Sequence, residues 1–465
     1  MVEPTRVKGR RLDVIAGRGG RRHDRSPGRR DRPTLRNVSP TNWSSRPDQP
    51  AGSDRPTPST MYPVGASITL GDLAGDVHPH LARLRATEPV SWLPAIGGWL
   101  VTDRASALEV LRDAATYTVD DPRFSTARVV GPSMLSTDGD EHARHRAPFA
   151  PPFQQAAVRE GFEDWTGSAA RQLVETLTTR PENTGAERRT APRADLRSEL
   201  AGPLAVAVIA RALGLVDADP DRVLGWYRAI VVGVEGVNAG LEVGEDTQRA
   251  VADLRAEVDR TVRDAAGSML AEVSGDSSLT ADEVFSNTAV LMFGAIETSE
   301  GMTANALAHL LADPDQTNAV RSDRSLIAGA VEESLRMEPA ATLVDRYTTV
   351  DVVLGDAPIP AGDLVTVSLA GANRDPEVFL EPDRYDVRRD NARLQLAFVK
   401  GPHVCLGLHL ARLQTIAAVD AVLDLLPDVH LDHGSPEEGF ESARGLVFRK
   451  PARVPVRWTA SGNVR

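Results

Sequence analysis

The chain has 465 residues, of which 41% are hydrophobic and 25% charged, a composition typical of a globular protein. No uninterrupted apolar run reaches the roughly 18 residues that a membrane-spanning helix needs. The single cysteine, Cys405, excludes both an intrachain disulfide and a zinc site of clustered cysteines. The formal net charge of −12 disfavours broad binding to nucleic acid. We therefore expect a soluble, cytoplasmic protein without a membrane or nucleic-acid partner.

Residues 1–60 differ from the rest of the chain. They contain 14 Lys and Arg against 6 Asp and Glu, are rich in Arg, Pro, Gly and Ser, and show no lasting helical or strand period. Such a segment cannot bury enough apolar surface to offset its ordering entropy. We expect a basic, disordered N-terminal extension with Met61 as a plausible true start, and a basic arm for an acidic partner is the alternative. Residues 61–465 would then form a single domain.

Helical periods alternate with short extended stretches from residue 68 onward. The elements predicted in the first half are helices over 78–87, 105–112 and 159–179, strands over 90–93 and 99–102, and a polar loop over 179–194. Further along, Thr280 and Glu283 have the spacing of a capping box, and the helical pattern after them lasts until Pro314. This helix would contain about 32 residues and span roughly 48 Å.

The remaining predicted elements are a helix over 325–338, extended chain over 343–370, a helix over 407–426 and a strand-rich tail over 446–458. Helices dominate this reading, and the strands are few and short. We therefore expect a mainly α fold with a small β subdomain.

The most informative segment surrounds the only cysteine. It reads Phe-Val-Lys-Gly-Pro-His-Val-Cys-Leu-Gly over residues 398–407, directly before the last strong helix. Gly401 and Gly407 permit a tight loop, and the N-terminus of the helix would favour the thiolate of Cys405 over the thiol. A thiolate held in this way can bind a metal. The alternative is a buried free cysteine that acts as a small hydrophobic residue.

This segment resembles the haem-binding loop of the cytochrome P-450 family. The family pattern F-x-x-G-x-H-x-C-x-G is matched by Phe398, Gly401, His403, Cys405 and Gly407. The resemblance implies the cytochrome P-450 fold around one haem b (iron protoporphyrin IX). It also implies that Cys405 is the axial ligand of the iron, where its thiolate promotes O–O cleavage. Val399 stands where the family often has glycine, a departure that would stiffen the loop.

Glu333 and Arg336 lie three residues apart on a predicted helix, so they can form an ion pair on one helical face. An ordinary exposed pair of this kind contributes only about 0.3–0.5 kcal/mol. The string resembles the E-x-x-R motif of the family, whose pair connects the core to a meander segment, here residues 373–385. The resemblance implies that both residues hold the fold and take no part in catalysis.

Gly294, Glu297 and Thr298 lie midway along the long predicted helix. A glycine at a helix centre lowers the stability of the helix by about 1 kcal/mol relative to alanine, so its presence there needs an explanation. Taken alone, the string fits a tolerated glycine and a threonine that bonds to the preceding turn. With Ala295 in place of a second glycine, it resembles the oxygen-activation motif A/G-G-x-D/E-T of the family. The resemblance implies that Glu297 and Thr298 are catalytic and relay the protons that O–O heterolysis requires.

The two carboxylates of haem need cationic or hydrogen-bonding partners, and arginine binds a carboxylate in bidentate fashion. His142 and Arg146 are four residues apart and would share a helical face. The resemblance implies four residues that bind these carboxylates: His142, Arg146, Arg346 and His403. Arg144 and His145 are assigned to a solvated face of the same helix.

The residues expected around the substrate are small or apolar: Leu291, Gly294, Ala295, Leu343, Val344 and Val447. Such a lining suits a hydrophobic small molecule. The resemblance implies insertion of one oxygen atom of O2 into this substrate, in secondary metabolism. Electrons would come from a separate ferredoxin and its reductase, because the resemblance leaves no room for a fused reductase domain.

Two other functions stay open at this point. A haem-thiolate enzyme can catalyse chemistry other than hydroxylation, such as oxidative coupling, nitration or dehydration. A non-enzymatic haem protein that senses a gas or carries haem is the more distant alternative. The presence of both Glu297 and Thr298 disfavours it, because a sensor needs no proton relay.

Overall fold

The extension expected at residues 1–60 lies mostly outside the part of the chain that the structure describes. The computed structural model describes residues 58–180, 183, 191–215, 218–238, 240–265, 268–275, 278–434 and 439–459. The expectation of disorder is wrong for residues 58–60, because helix α1 spans Pro58–Met61 and contacts the following helix and the first strand. For residues 1–57 it stays a sequence-based prediction.

Helices make up most of the described chain. Those of the first half are α1, α2 (Pro63–Ala66), α3 (Leu70–Ala74), α4 (His78–Thr87), α5 (Arg104–Arg112), α6 (Ser125–Val130), α7 (Gly139–Arg146), α8 (Gln155–Thr178) and α9 (Gly202–Leu213). Those of the second half are α10 (Pro220–Asn238), α11 (Glu245–Asp264), α12 (Met269–Gly275), α13 (Ala281–Ala312), α14 (Pro314–Ser322), α15 (Ile327–Met337), α16 (Leu369–Ala372) and α17 (Leu408–Leu425). A π-helical turn, Arg197–Ala201, leads into α9.

The strands are short and lie mainly at the two ends of the chain. They are β1 (Val90–Leu93), β2 (Gly98–Val101), β3 (Tyr117–Thr118), β4 (Arg193–Asp195), β5 (Leu343–Thr348), β6 (Val352–Leu354), β7 (Ala357–Ile359), β8 (Leu364–Ser368), β9 (His430–Leu431) and β10 (Pro455–Arg457). The sheets have the strand orders β1-β2-β8-β5-β3, β4-β10-β9 and β6-β7. Strands β2 and β8 run parallel, and the other pairs of that first sheet are antiparallel. This architecture is the mainly α fold with a small β part that the sequence predicts.

Helix α13 runs through the helical core. Its start is the predicted capping box, in which Thr280 Oγ1 accepts the Glu283 N–H and the Glu283 carboxylate accepts the Thr280 N–H. The helix has 32 residues and ends at Ala312, with Asp313, the residue before Pro314, as its C-cap. It packs against α9, α15 and α17, and most of its side chains are buried. The long helix predicted from the sequence is therefore confirmed.

A buried arginine joins the two ends of the fold. Arg449 is only 2% exposed. Its Nε donates to Glu338 Oε1 at 2.9 Å, and its Nη1 donates to the carbonyls of Gly75 at 3.1 Å and Gly445 at 3.0 Å. These bonds fasten the C-terminal segment both to the core and to the chain after α3.

Several predicted boundaries differ from the structure. The helix predicted over 159–179 begins earlier, at Gln155, and the extended chain predicted over 343–370 ends in helix α16. The tail over 446–458 contains one strand, β10, and isolated bridges join Phe448 to Ala341 and Lys450 to Arg444. The loop predicted over 179–194 lies partly outside the described residues. Among the described helices, none combines the length and the apolarity needed to cross a bilayer.

Candidate active site

The segment that carries Cys405 is a closed loop at the start of α17. The Cys405 N–H donates to the Phe398 carbonyl at 3.0 Å, and Gly401 has φ +77°, which favours glycine. A Cβ atom at Gly401 would lie 2.3 Å from the carbonyl oxygen of Leu111 on α5, so a larger residue cannot fit. Val399 also has a positive φ, +51°, although it is β-branched. The structure thus brings Phe398, Gly401 and Cys405 together, as the sequence predicts.

The environment of the sulfur differs in part from the sequence-based expectation. Helix α17 begins at Leu408 with Gly407 as its N-cap, so Cys405 does lie at a helix N-terminus. Burial nevertheless raises the pKa of the Cys405 thiol, against the opposing effects of the Gly407 N–H, Arg146 and Arg412. The helix terminus alone therefore does not produce the thiolate. A bound metal cation would, because a coordinating thiol is deprotonated outright.

His403 of the loop belongs to a buried hydrogen-bond network. Its Nε2 lies 2.6 Å from Asp138 Oδ1, and its ring centroid is 4.3 Å from that of His142. Asp138 also accepts the Thr118 hydroxyl at 2.6 Å and the Val119 N–H at 2.8 Å. Burial raises the pKa of Asp138, but bonds from His403, Thr118 and Val119 outweigh it and lower the pKa to about 2. Sequence reasoning missed Asp138, because its partners are distant in the chain.

The other predicted carboxylate-binding residues are buried donors that lack an anion. His142 Nε2 has no hydrogen-bond partner among the described residues. Burial, followed by the nearby His403 and Arg146, lowers the pKa of His142 to about 4. Arg346 is 5% exposed, donates to the Asp345 carbonyl at 2.7 Å and forms no ion pair within the described chain. Arg146 donates to the Val404 carbonyl at 2.6 Å. Donors that contact no carboxylate of the described chain, with His142 Nε2 among them lacking any partner, fit the two carboxylates of a haem.

Open space lies beside α13 at the predicted oxygen-activation motif. Gly294 is exposed although it lies in mid-helix, and a Cβ atom there would meet nothing within 4 Å. Leu291, Ala295 and Thr298 are partly exposed and share its face of the helix. The helix is continuous through this stretch, so the alanine at 295 coexists with regular α geometry. The face can therefore accommodate a flat cofactor or a substrate.

The two predicted catalytic residues have separate hydrogen-bond partners. The Thr298 hydroxyl donates to the Gly294 carbonyl at 2.5 Å. The Glu297 carboxylate accepts the Tyr227 hydroxyl at 2.5 Å and lies 2.6 Å from Lys450 Nζ. Burial raises the pKa of Glu297, but the charge and hydrogen bond of Lys450 and the bond from Tyr227 give a net lowering. The carboxylate is held ionised, and neither Tyr227 nor Lys450 was predicted from the sequence.

Comparisons with known proteins agree with this geometry. The Cytochrome P450 family model matches residues 242–452. The cytochrome P450 monooxygenase PikC of Streptomyces venezuelae is 33% identical over 412 residues, which cover 83% of this chain and 92% of PikC. The chain belongs to the cytochrome P450 family. The mycinamicin IV hydroxylase/epoxidase of Micromonospora griseorubida is 31% identical and covers 81% of this P450 and 94% of its own length.

A solved structure supports the same assignment. The crystal structure of CalO2 superposes on this P450 with a TM-score of 0.74 at 28% sequence identity, covering 84% of this chain and 98% of CalO2. The protein therefore has the P450 fold and is an oxidoreductase of the P450 monooxygenase family. Membership of the family implies a haem-iron cofactor. The unpaired donors near Cys405 and the open space beside Gly294 fit such a group.

The E-x-x-R motif of this P450 is a completely buried ion pair. Arg336 and Glu333 are both 0% exposed, and two N–H···O contacts of 2.8 Å join them. Arg336 also donates to the carbonyls of Asn373 at 3.1 Å and Pro382 at 2.7 Å, and Arg389 donates to Glu333 Oε1 at 2.8 Å. The exposed-pair alternative is therefore wrong. Arg389 is a third member that sequence reasoning missed.

The structure does not bring all predicted substrate residues together. Leu343 and Val344 are neighbours on β5, so their side chains point to opposite faces of the sheet. Leu343 packs on the cluster that contains Ile68, whereas Val344 packs on the cluster that contains Trp99. Val447 is 40% exposed. At most one of the two β5 residues can line the same cavity wall.

The assignment to a solvated face is wrong for His145. His145 is 1% exposed, because α7 packs it on α13, where its Nδ1 lies 2.9 Å from Asn287 Nδ2. Arg144 is partly exposed and paired with Glu141 and Glu283. These two carboxylates and His145 could form a cation site by distance. The Arg144 guanidinium already neutralises the carboxylates, which disfavours a metal ion there.

Proposed function

We propose that this P450 is a haem-thiolate monooxygenase that inserts one oxygen atom of O2 into a hydrophobic small molecule in secondary-metabolite biosynthesis. The observation that carries the proposal is the set of buried donors without anions, His142 and Arg346, beside the loop of Cys405. The relatives point the same way, since one is named as a monooxygenase and another as a hydroxylase/epoxidase.

Each residue near the loop has a proposed role in holding haem b. Cys405 Sγ would bind the iron, and Phe398, Gly401 and Gly407 would shape the loop around it. The carboxylates are bound by His142, Arg146, Arg346 and His403. A covalently attached c-type haem is excluded, because that attachment uses two cysteines and the chain has one. Haem b, bound without a covalent link to its ring, is the form that fits.

Haem ligated by a thiolate supplies reductive O2 activation and oxygen-atom transfer. The chain supplies the protons that this chemistry consumes. Thr298 Oγ1 lies on the open face of α13 and would be the final donor. Glu297 precedes it in the chain, and its carboxylate lies in the polar region behind, where it accepts the Tyr227 hydroxyl. Glu297 is held ionised, so it can take up a proton and pass it on.

The proposed substrate cavity is apolar. Leu291, Gly294 and Ala295 present little polarity on α13, and Val344 and Val447 add aliphatic surface from the β5 region and the C-terminal segment. Such walls exclude water and bind a substrate through burial of its apolar surface. Leu343, on the opposite face of β5, would contact the substrate only where the cavity extends beyond the sheet edge.

Electrons are proposed to come from a ferredoxin and its reductase. Cations near the Cys405 loop would bind the acidic ferredoxin surface. Arg412 is already paired with Glu332 at 2.5 Å and Arg144 with Glu283, so both have less charge to offer a partner. Lys400, in the loop itself, is then the most suitable cation for this contact.

The first test is the spectrum of the purified protein after reduction with dithionite and addition of carbon monoxide. We expect a strongly red-shifted Soret band in the difference spectrum and its loss in Cys405→Ala. A histidine-like band, or no bound haem, contradicts the proposal. Turnover under isotopically labelled O2 with a surrogate ferredoxin system then separates oxygen insertion, in which the label enters the product, from oxidative coupling or dehydration, in which it does not.

A further inference from the structure

Lys450 bridges two glutamates of helix α13. Its Nζ lies 2.6 Å from Glu297 Oε1 and 2.9 Å from Glu300 Oε2. The lysine side chain is 12% exposed, and the two carboxylates are 17% and 14% exposed. Removing these three charged groups from most of their water costs free energy, and the attraction between the ammonium and the two carboxylates offsets that cost. Lys450 is one of only three lysines in the chain.

The same network continues toward the surface. Arg197 Nε donates to Glu300 Oε1 at 2.7 Å, and its Nη1 donates to the Ala452 carbonyl at 2.7 Å. Arg197 is 30% exposed and stands in the π-helical turn before α9. Turns of this type are frequent at functional sites. Arg197, Glu300, Lys450 and Glu297 therefore form a continuous row of ionic groups from solvent to the motif on α13.

Tyr227 of α10 closes the inner end of this row. Its hydroxyl donates to Glu297 Oε2 at 2.5 Å, and burial followed by the charge of Glu297 raises the pKa of Tyr227, so the phenol stays protonated. Both oxygens of Glu297 are therefore occupied, one by Tyr227 and one by Lys450. Neither is hydrogen-bonded to Thr298, the next residue.

We propose that Lys450 is a positioning residue that holds Glu297 ionised and joined to Glu300 and Arg197. Protons then enter from the side of the protein where Arg197 is exposed, and they reach Thr298 through Glu297. The inference rests on the proposed function, in which Glu297 and Thr298 deliver protons. A proton from solvent binds Glu297. Its transfer to Thr298 Oγ1 requires the carboxyl group to turn away from Tyr227 or Lys450, because neither oxygen contacts Thr298. The release leaves Glu297 ionised again.

The charge of Glu297 depends on every group that faces it. Lys450 and Arg197 favour the ionised form, and Tyr227 stabilises it by donating a hydrogen bond. Glu300 of the same helix is a like charge, and so is Glu235 of α10, whose own pKa is raised by burial and by Glu297. Without Lys450, burial and these two acids would favour the protonated form of Glu297.

The decisive variant is Lys450→Met, measured by infrared absorption of protonated carboxyl groups during a pH titration of the ferric holoenzyme. The band of Glu297 is identified as the one lost in a second protein that also carries Glu297→Gln. We expect the pH at which Glu297 is half-protonated to rise by about 1–3 units in Lys450→Met. Lys450→Arg should stay close to the wild type. An unchanged midpoint in Lys450→Met overturns the inference.

Two further variants keep the test informative. Arg171→Met removes an exposed pair with Asp424 on another part of the surface and should leave the midpoint unchanged. Tyr227→Phe removes a hydrogen bond without removing a charge, so it should raise the midpoint less than Lys450→Met does. If Lys450→Met does not fold, Tyr227→Phe tests whether the network sets the midpoint of Glu297. An unchanged midpoint in Tyr227→Phe would then count against the network.

The same proteins are then compared during turnover. In Lys450→Met, the fraction of supplied electrons recovered in product should show a pH profile displaced in the alkaline direction by a similar amount, and Lys450→Arg should restore it. Failure of the proposed function is seen separately, because the infrared midpoint needs no turnover. A shifted midpoint with no oxygen insertion contradicts the monooxygenase, whereas oxygen insertion with an unshifted midpoint contradicts the role of Lys450.

Discussion

Two buried charged regions of this P450 differ in whether the chain itself supplies a bonding partner for every charged or polar group. Around Glu333 and Arg336, every charged group has a partner: the two residues bind each other, Arg389 binds the acid, and backbone carbonyls take the remaining donors. Around His403, His142 Nε2 has no partner among the described residues, and Arg346 has only a neighbouring carbonyl. Both regions are buried, so the contrast does not come from solvent.

The contrast separates groups that stabilise the fold from groups whose bonding partner is a ligand. Burying a donor or a charge without a partner costs free energy, so it persists where a ligand provides the missing partner. The region of Glu333 needs none. In the region of His142 and Arg346, no carboxylate of the described chain contacts either side chain, and an acidic cofactor would supply that contact.

Arg336→Met should cause the largest loss of stability. It removes one member of a buried pair and leaves Glu333 with Arg389 and the Asp386 N–H, so we expect the free energy of unfolding to fall by about 3–5 kcal/mol. Urea unfolding followed by far-ultraviolet circular dichroism measures it. The control is Arg249→Met, which removes an exposed pair and should change the free energy by no more than about 0.5 kcal/mol. A loss of the same small size in Arg336→Met would contradict the assignment.

Arg346→Met should have opposite effects in the two forms of the protein. In the haem-free form it removes a buried charge without an ionic partner, so we expect equal or greater stability. In the haem-bound form it removes a donor to a carboxylate, which is worth about 1.5–3 kcal/mol, so transfer of haem to apomyoglobin should be at least about tenfold faster. Destabilisation of both forms by the same amount would show that the chain already supplies the bonding partners of Arg346.

His142 should make the haem-free protein sensitive to mild acid. Its pKa is about 4 in the folded chain and 6.5 in a model peptide, so the unfolded chain binds the proton more readily. The contribution to stability is present above about pH 6.5 and is lost as the pH falls toward about 4. After allowance for solvent screening we expect a loss of about 1–2 kcal/mol.

Thermal unfolding at several pH values measures this dependence, and His142→Gln should flatten the profile of the haem-free protein between these limits. Bound haem should flatten it as well, because carboxylates near His142 raise its pKa toward the ordinary value. A haem-bound profile as steep as the haem-free one would argue against a carboxylate beside this ring.

Val399→Gly should have the smallest effect. The left-handed backbone at Val399 costs a non-glycine residue about 1–2 kcal/mol, and glycine relieves this but loses about 0.5–1 kcal/mol of unfolded-state entropy. We expect a net gain of up to about 1 kcal/mol, seen as a small rise in the melting temperature. Both Val399→Ala and Val399→Gly lose the packing of the valine methyl groups, but only Val399→Ala keeps the cost of a left-handed non-glycine residue, so it should melt below Val399→Gly. The reverse order would show that the left-handed backbone costs less than the entropy that glycine adds to the unfolded chain.

Local signals in the sequence were sufficient for much of this molecule. The capping box at Thr280 and Glu283 located α13, because a cap acts within one turn of the helix. The spacing of glycines around Cys405 located the loop, because tight turns are also local. Strands β1 and β2 were found nearly to the residue, since they are short apolar stretches bounded by turns.

The features that were missed depend on residues far apart in the chain. Asp138 meets His403, Lys450 meets Glu297, and no periodicity marks either pairing. His145 looked solvated because its helix is polar, yet packing against Asn287 buries it. The separation of Leu343 from Val344 also required the sheet, since only the pairing of β5 shows which side of the strand each residue faces.

The bonds of Arg449 have a practical consequence for changing what the enzyme accepts. This arginine fixes the segment that carries Val447 on one side and Lys450 on the other, through side-chain bonds that do not involve its neighbours. A mutant library that varies Val447 while Arg449 is kept therefore alters the cavity wall on a backbone that stays anchored. Selectivity and foldability can be engineered separately in this segment.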